Sequence, residues 1–107
     1  MIARVWRGTV AAADGDAYAA YMQDTGVAGY ATIPGNRGVW MLRRPVPDGE
    51  EFMMFTLWES LDAVKRFAGE DYETAVFYAE DERFLIQREL VSTHYEVDTA
   101  ASPAPGP

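Results

Sequence analysis

The chain has no cysteine among its 107 residues, a single histidine, and nine basic residues against seventeen acidic ones. Each shortage removes something. Without cysteine there is no disulfide, no thiolate metal site and no cysteine nucleophile, a composition that suits a cytoplasmic protein. A formal charge of -8 argues against nucleic acid as a partner, because phosphate binding needs a basic footprint. No stretch reaches the ~18 consecutive apolar residues of a membrane-spanning helix. Arg4 and Arg7 interrupt the first residues, where a signal peptide needs an apolar run. No membrane is therefore expected. The acidic runs Glu70, Asp71, Glu73 and Glu80, Asp81, Glu82 lack a paired histidine and read as solvated surface, so no metal is expected either. A glycine-rich phosphate loop and a serine elbow are missing as well.

What is present is an ordinary globular composition, 49% hydrophobic and 24% charged. The length is one domain's worth. Residues 1–97 form the expected domain, and the Pro- and Ala-rich residues 98–107 are expected to be a disordered tail. Residues 2–8 alternate around Val5 and Trp6 and suit a first strand. Asp14 can cap a helix whose face is Tyr18, Tyr21, Met22 and Thr25, at i, i+3, i+4, i+7, ended by Gly26 and Gly29. A turn over 33–38 leads to strands at Val39–Arg44 and Glu51–Glu59, joined by the hairpin Pro45–Gly49. Ser60 caps a second helix with Leu61, Val64, Phe67 and Ala68 inward, and Gly69 stops it. Short helical turns are expected near Tyr72–Tyr78 and Asp81–Leu85, then a final strand, Gln87–Val97. The order β-α-β-β-α-β is the ferredoxin-like α+β arrangement, with a four-stranded antiparallel sheet.

The strands are apolar on both faces. Phe52, Met54, Thr56 and Trp58 share one side, and Met53, Phe55 and Leu57 the other. Helices cover only one face of such a sheet. The other needs a cover, and a second copy of the chain in a homodimer is the simplest.

Thr56-Leu57-Trp58-Glu59-Ser60, running straight into the helix Leu61–Phe67, resembles the strand-to-helix step of the antibiotic biosynthesis monooxygenase family within the dimeric α/β-barrel superfamily. The turn Gly35–Gly38, the segment Phe67–Asp71 and the terminal His94–Val97 share in the resemblance. It covers about residues 1–97. It implies two subunits whose sheets join as a dimeric α/β barrel, with a pocket between sheet and helices. Some relatives oxygenate polyphenolic or anthrone-type compounds without metal or flavin, and others degrade haem. Haem-degrading relatives use an asparagine on the first strand and a helical histidine; here Arg4, Val5 and Trp6 occupy that strand and no histidine follows Trp58. No cofactor is therefore expected.

Trp58 matches a position that lines the pocket in the family, and His94 is the only side chain with an ordinary pKa suited to proton transfer near neutrality. These two are the candidate catalytic residues. Trp6, Tyr18, Tyr21 and Thr56 are candidate substrate-binding residues, each with a plain alternative as core aromatic or strand threonine. On the last strand His94 shares parity with Leu90, Ser92 and Glu96, a more polar set than Val91, Thr93, Tyr95 and Val97. Two function classes stay open. One is a cofactor-independent monooxygenase acting on an aromatic or polyketide-like small molecule. The other is a non-catalytic dimeric barrel that binds a hydrophobic small molecule or serves a structural role. Asn36 sits in a glycine-rich turn because it tolerates tight backbone geometry.

Overall fold

The computed structural model describes residues 1–101. Strand β1, Ile2–Val10, is central. It pairs antiparallel along its whole length with β3, Gly49–Trp58, from Ile2 opposite Trp58 to Val10 opposite Glu50. Strand β2, Asn36–Val46, lies outside β3. Two short strands, β4 (Leu85–Arg88) and β5 (Thr93–Glu96), share the far side of β1. The order across the sheet is thus β2-β3-β1 and then β4 with β5, the ferredoxin-like α+β layout, with the fourth position filled by two strands instead of one.

That split differs from the expected continuous strand at Gln87–Val97, and its cause is local. The Trp6 indole donates to the carbonyl of Glu89 at 2.7 Å. Residues 90–92 turn away to pair with the connection between the last two helices. Ala75 donates to Leu90 at 2.9 Å, Ser92 to Glu73 at 2.7 Å, and Thr74 bridges Val91. The same pairing explains why no helical turn forms around Tyr72–Tyr78: that backbone is spent on a ladder. Strand β2 is longer than Val39–Arg44 and tolerates Pro45 because it is an edge strand, where a missing N–H faces solvent.

Helix α1 is Gly15–Met22, preceded by a tight turn at Ala12–Asp14. Asp14 makes no side-chain capping bond there. Gly26 and Gly29 do not stop the chain. A wide π turn at Gln23–Val27 carries it into α2, Ala28–Ala31. Within that turn the Thr25 hydroxyl donates to the carbonyl of Tyr21 at 2.8 Å, a side-chain bond that competes with the helical ladder. Gly26 lets the Met22 side chain lie close: a Cβ there would sit 2.7 Å from the Met22 methyl and push it aside. Helix α3, Leu61–Ala68, is capped as its sequence predicts, Ser60 accepting from the Ala63 N–H at 3.2 Å. It ends at Gly69, whose φ of 85° favours glycine. A single turn, α4, spans Asp81–Phe84.

The core lies between the helices and one face of the sheet, built on Trp6, Val10, Phe52, Met54 and Trp58 from the strands. Tyr18, Met22, Tyr30, Val64 and Phe84 meet them from the helices. The opposite face carries Val5, Met53, Phe55 and Leu57. Trp40, Leu42 and Tyr95 stand there 47%, 49% and 59% exposed, too much apolar surface in one place for scattered exceptions. Residues 98–101 are exposed and without regular structure. The rest of the expected tail, 102–107, lies outside the described residues.

Candidate functional site

One rung of the sheet collects most of the polar chemistry on the helix-facing side. Thr56 of β3 pairs with Arg4 of β1, which pairs in turn with His94 of β5. Arg4 is only 4% exposed. Its Nη1 donates to the Tyr72 carbonyl and lies 3.0 Å from His94 Nε2. Its Nη2 donates to the Thr74 carbonyl at 3.4 Å. A guanidinium only donates, so His94 Nε2 accepts and the ring is neutral with its proton on Nδ1. Burial first, and the Arg4 charge second, hold His94 below its ordinary pKa of 6.5, against a smaller opposing pull from Glu73. Burial likewise lowers the pKa of Arg4, which stays charged at any physiological pH.

Trp58 ends β3 and is fully buried. Its indole N–H donates to the Thr56 hydroxyl at 2.9 Å, and Thr56 donates onward to the Arg4 carbonyl at 3.3 Å. The indole stacks on Phe67 with centroids 5.6 Å apart and meets the edge of Tyr30 at 6.4 Å. Phe67 in turn lies under the Arg4 guanidinium at 5.6 Å, and Tyr72 meets His94 edge-on at 5.2 Å. Thr56, Trp58 and His94 therefore belong to one neighbourhood, joined through Arg4.

Tyr18 and Tyr21 belong to a different one. They tile against Phe84 at 5.4 and 5.8 Å. The Tyr18 hydroxyl donates to Asp81 Oδ1 at 3.2 Å, and the Tyr21 oxygen accepts from the Glu80 N–H at 3.0 Å. Burial pushes the Tyr18 hydroxyl far above its ordinary pKa, with the Asp81 charge adding to it. Trp6 is buried under the edge of Phe77 at 5.9 Å, its N–H spent on Glu89. Three surface depressions of about 250, 240 and 410 Å3 involve none of these six candidates. In this conformation side chains fill the space between sheet and helices around Trp58 and Tyr18.

Asp81 corrects the expectation that Glu80, Asp81 and Glu82 form a solvated run. It is 3% exposed. Its Oδ2 accepts the Tyr78 N–H at 2.5 Å while Oδ1 takes Tyr18. Burial raises its pKa, opposed by those two bonds and by Arg88. The flanking glutamates hide it in the sequence. Asp81→Ala leaves two buried donors without an acceptor and should cost about 1–3 kcal/mol in urea denaturation. Asp81→Asn keeps one acceptor, which can take the Tyr78 N–H while the amide N–H donates to the Tyr18 oxygen, so its loss should be smaller than that of Ala. A loss in Asn as large as in Ala would mean that the charge itself is required. Arg4 is the second buried charge that the sequence reading does not single out. Its signal was available, since it shares parity with Ile2, Trp6 and Val10 on the packed face.

A subunit with this sheet order and one helix-covered face is a ferredoxin-like α+β domain. Its fold is that of the antibiotic biosynthesis monooxygenase-like proteins. Among solved structures it is similar to a Bacillus cereus protein assigned as an antibiotic biosynthesis monooxygenase, at 15% identity and a TM-score of 0.67, covering 98% of each chain. The haem-degrader MhuD from Mycobacterium tuberculosis, solved with two haems bound in its active site, matches at 20% identity and a TM-score of 0.68. That match covers 95% of this chain and 100% of MhuD. SnoaB, a cofactor-independent oxygenase from Streptomyces nogalater, matches at 18% identity and a TM-score of 0.61, covering 92% and 94%. At such identities the likeness is one of fold. No protein-family model and no curated protein matches the sequence.

Haem does not fit the residues present. The one histidine that could ligate iron lies on β5 with its Nε2 3.0 Å from a guanidinium, which would oppose a bound cation. Among the described residues no three of His, Asp and Glu converge as metal ligands. No helix of the described residues is long and apolar enough to cross a membrane.

Proposed function

We propose that the chain works as a homodimer that binds a hydrophobic, aromatic small molecule on the helix-facing side of the sheet and oxygenates it without a cofactor. The observation that carries this reading is the neutral His94 beside Arg4, on the same rung as Thr56 and next to Trp58. A neutral imidazole can take a proton from a phenol or an activated C–H group. Arg4, turning from His94 to the new oxyanion, would free the Nε2 lone pair and hold the anion formed. Such an electron-rich anion reduces dioxygen directly. A CH2 group becomes C=O with one oxygen atom, and the other leaves as water. The likeness to a cofactor-independent oxygenase supports the same reading at the level of fold. Access to Arg4 requires the segment carrying Tyr72 and Thr74 to move aside, since their carbonyls occupy its guanidinium.

The homodimer rests on the exposed apolar face of the sheet. One end of that face carries both signs, Arg7 with Glu89 at 3.2 Å and Arg44 with Glu51 at 3.0 Å, which suits a self-complementary two-fold contact. The lack of cysteine supports a cytoplasmic location.

The test is oxygen uptake with 1,8-dihydroxyanthrone. One O2 should be consumed for each anthraquinone formed, faster than spontaneous oxidation, and His94→Gln should lose about 100-fold or more of the excess rate. Protonation disables the base, and the His94 pKa is lowered, so the rate should fall only below pH 6.5. A rate equal to the uncatalysed reaction sinks the oxygenase reading.

A further inference from the structure

Nine residues of the chain are basic, and among the described residues eight of them lie within 4.0 Å of a carboxylate oxygen. These eight are at or near the surface. The ninth is Arg4, the one that is buried, and no acid meets it although acids outnumber bases seventeen to nine. A buried charge is ordinarily matched by an opposite one, because leaving water uncompensated is expensive. The partners of Arg4 are neutral: two carbonyls, an imidazole nitrogen and the face of Phe67.

A structural clamp does not account for the charge. Holding two carbonyls needs donors, and a neutral amide side chain supplies them without the desolvation cost of a cation. Both carbonyls, moreover, come from the single segment Tyr72–Thr74 and not from the sheet. When that segment lifts, the guanidinium loses them together and faces the vacated space with its donors in a planar fork. Around it stand the ring of Phe67 and, through the Phe67 stack, that of Trp58.

We propose that Arg4 is an anion-binding residue, and that the ligand of this site is a flat aromatic molecule bearing an ionised oxygen, a carboxylate or a phenolate, which replaces the Tyr72 and Thr74 carbonyls on the guanidinium. This deepens the reading of a small-molecule site and rests on it. A guanidinium fork matches two oxygens of one carboxylate, so an acid is preferred over its neutral amide.

The probes are 2-naphthoate and 2-naphthamide, the same ring with and without charge, titrated calorimetrically into the full chain at pH 7. The wild type should bind the naphthoate about tenfold or more tightly than the amide. Arg4→Gln should bring the two within about twofold. Bound naphthoate should also speed hydrogen exchange at the amides of Ala75 and Ser92, which tie the segment down. Equal binding of both probes by the wild type overturns the anion site and leaves a hydrophobic site standing. A naphthoate preference that persists in Arg4→Gln assigns it to surface arginines and overturns the proposal. Binding of neither probe at millimolar concentration removes the small-molecule site along with it. The wild-type comparison and the exchange data stand even where Arg4→Gln does not fold.

Discussion

Trp58→Ala should lower the stability of the folded chain by about 3–5 kcal/mol. The indole is fully buried, stacked on Phe67 and edge-on to Tyr30, so its removal leaves a cavity that two aromatic neighbours and a strand cannot close. A domain of this size holds only about 5–15 kcal/mol in total. Each kcal/mol lost lowers Tm by roughly 4–8 °C, so the variant should be largely unfolded well below the melting point of the parent. Such a loss would not distinguish a filler from a chemical group, and Trp58→Phe does. Phenylalanine retains most of the ring contact and loses the N–H that meets Thr56. Thr56 keeps its own bond to the Arg4 carbonyl, so the rung survives. Thermal denaturation followed by circular dichroism should show a folded protein with a modest loss. If that protein oxidises the anthrone at the parental rate, Trp58 is a packing residue only.

The second large effect concerns the uncovered sheet face. Light scattering of the parent should return twice the 11.9 kDa of one chain. Leu42→Glu should return 11.9 kDa. Leu42 is half exposed in the single subunit, so a carboxylate there is solvated and the core on the opposite face is untouched. In a face-to-face dimer the same carboxylate is buried twice beside Arg7 and Arg44, whose charges Glu89 and Glu51 already take, which should weaken association by roughly a hundredfold or more. A parent that already runs as a monomer contradicts the pairing. A Leu42→Glu chain that still dimerises moves the contact to another surface.

These two experiments draw on different depths of the sequence. The alternation of Phe52, Met54, Thr56 and Trp58 against Met53, Phe55 and Leu57 declares both faces of β3 directly, because side chains in a strand alternate with period two. Ser60 and Gly69 mark α3 equally directly, since capping is chemistry between near neighbours. The π turn at Gln23–Val27 is not legible: glycines 26 and 29 look like stops, and only the fold shows Met22 packed against Gly26 and the chain running on into α2. Nor is the break after Arg88, which depends on an indole 83 positions away taking the Glu89 carbonyl. The candidate site divides in the same way. Residue type and resemblance point to Thr56, Trp58 and His94, but Arg4 joins them only through strand pairing. Tyr18 and Tyr21 were placed on the correct helix face, yet their hydroxyls go to Asp81 and the Glu80 backbone. Asp81 itself is disguised by charged neighbours. Local rules read elements; which polar groups share a rung is long-range information.

The divided fourth strand has one more effect. A sheet with a long, regular free edge invites further strands to add in register, and that growth has no natural end. Here one edge offers only two four-residue pieces, separated by backbone already paired with residues 73–75. The opposite edge, β2, carries Pro45, which cannot donate to an incoming strand. The β4–β5 margin is a poor template for fibril growth, and so is β2 where Pro45 lies. The apolar face is the broader surface for copies of the chain to meet, and a face-to-face contact is used up once two have met.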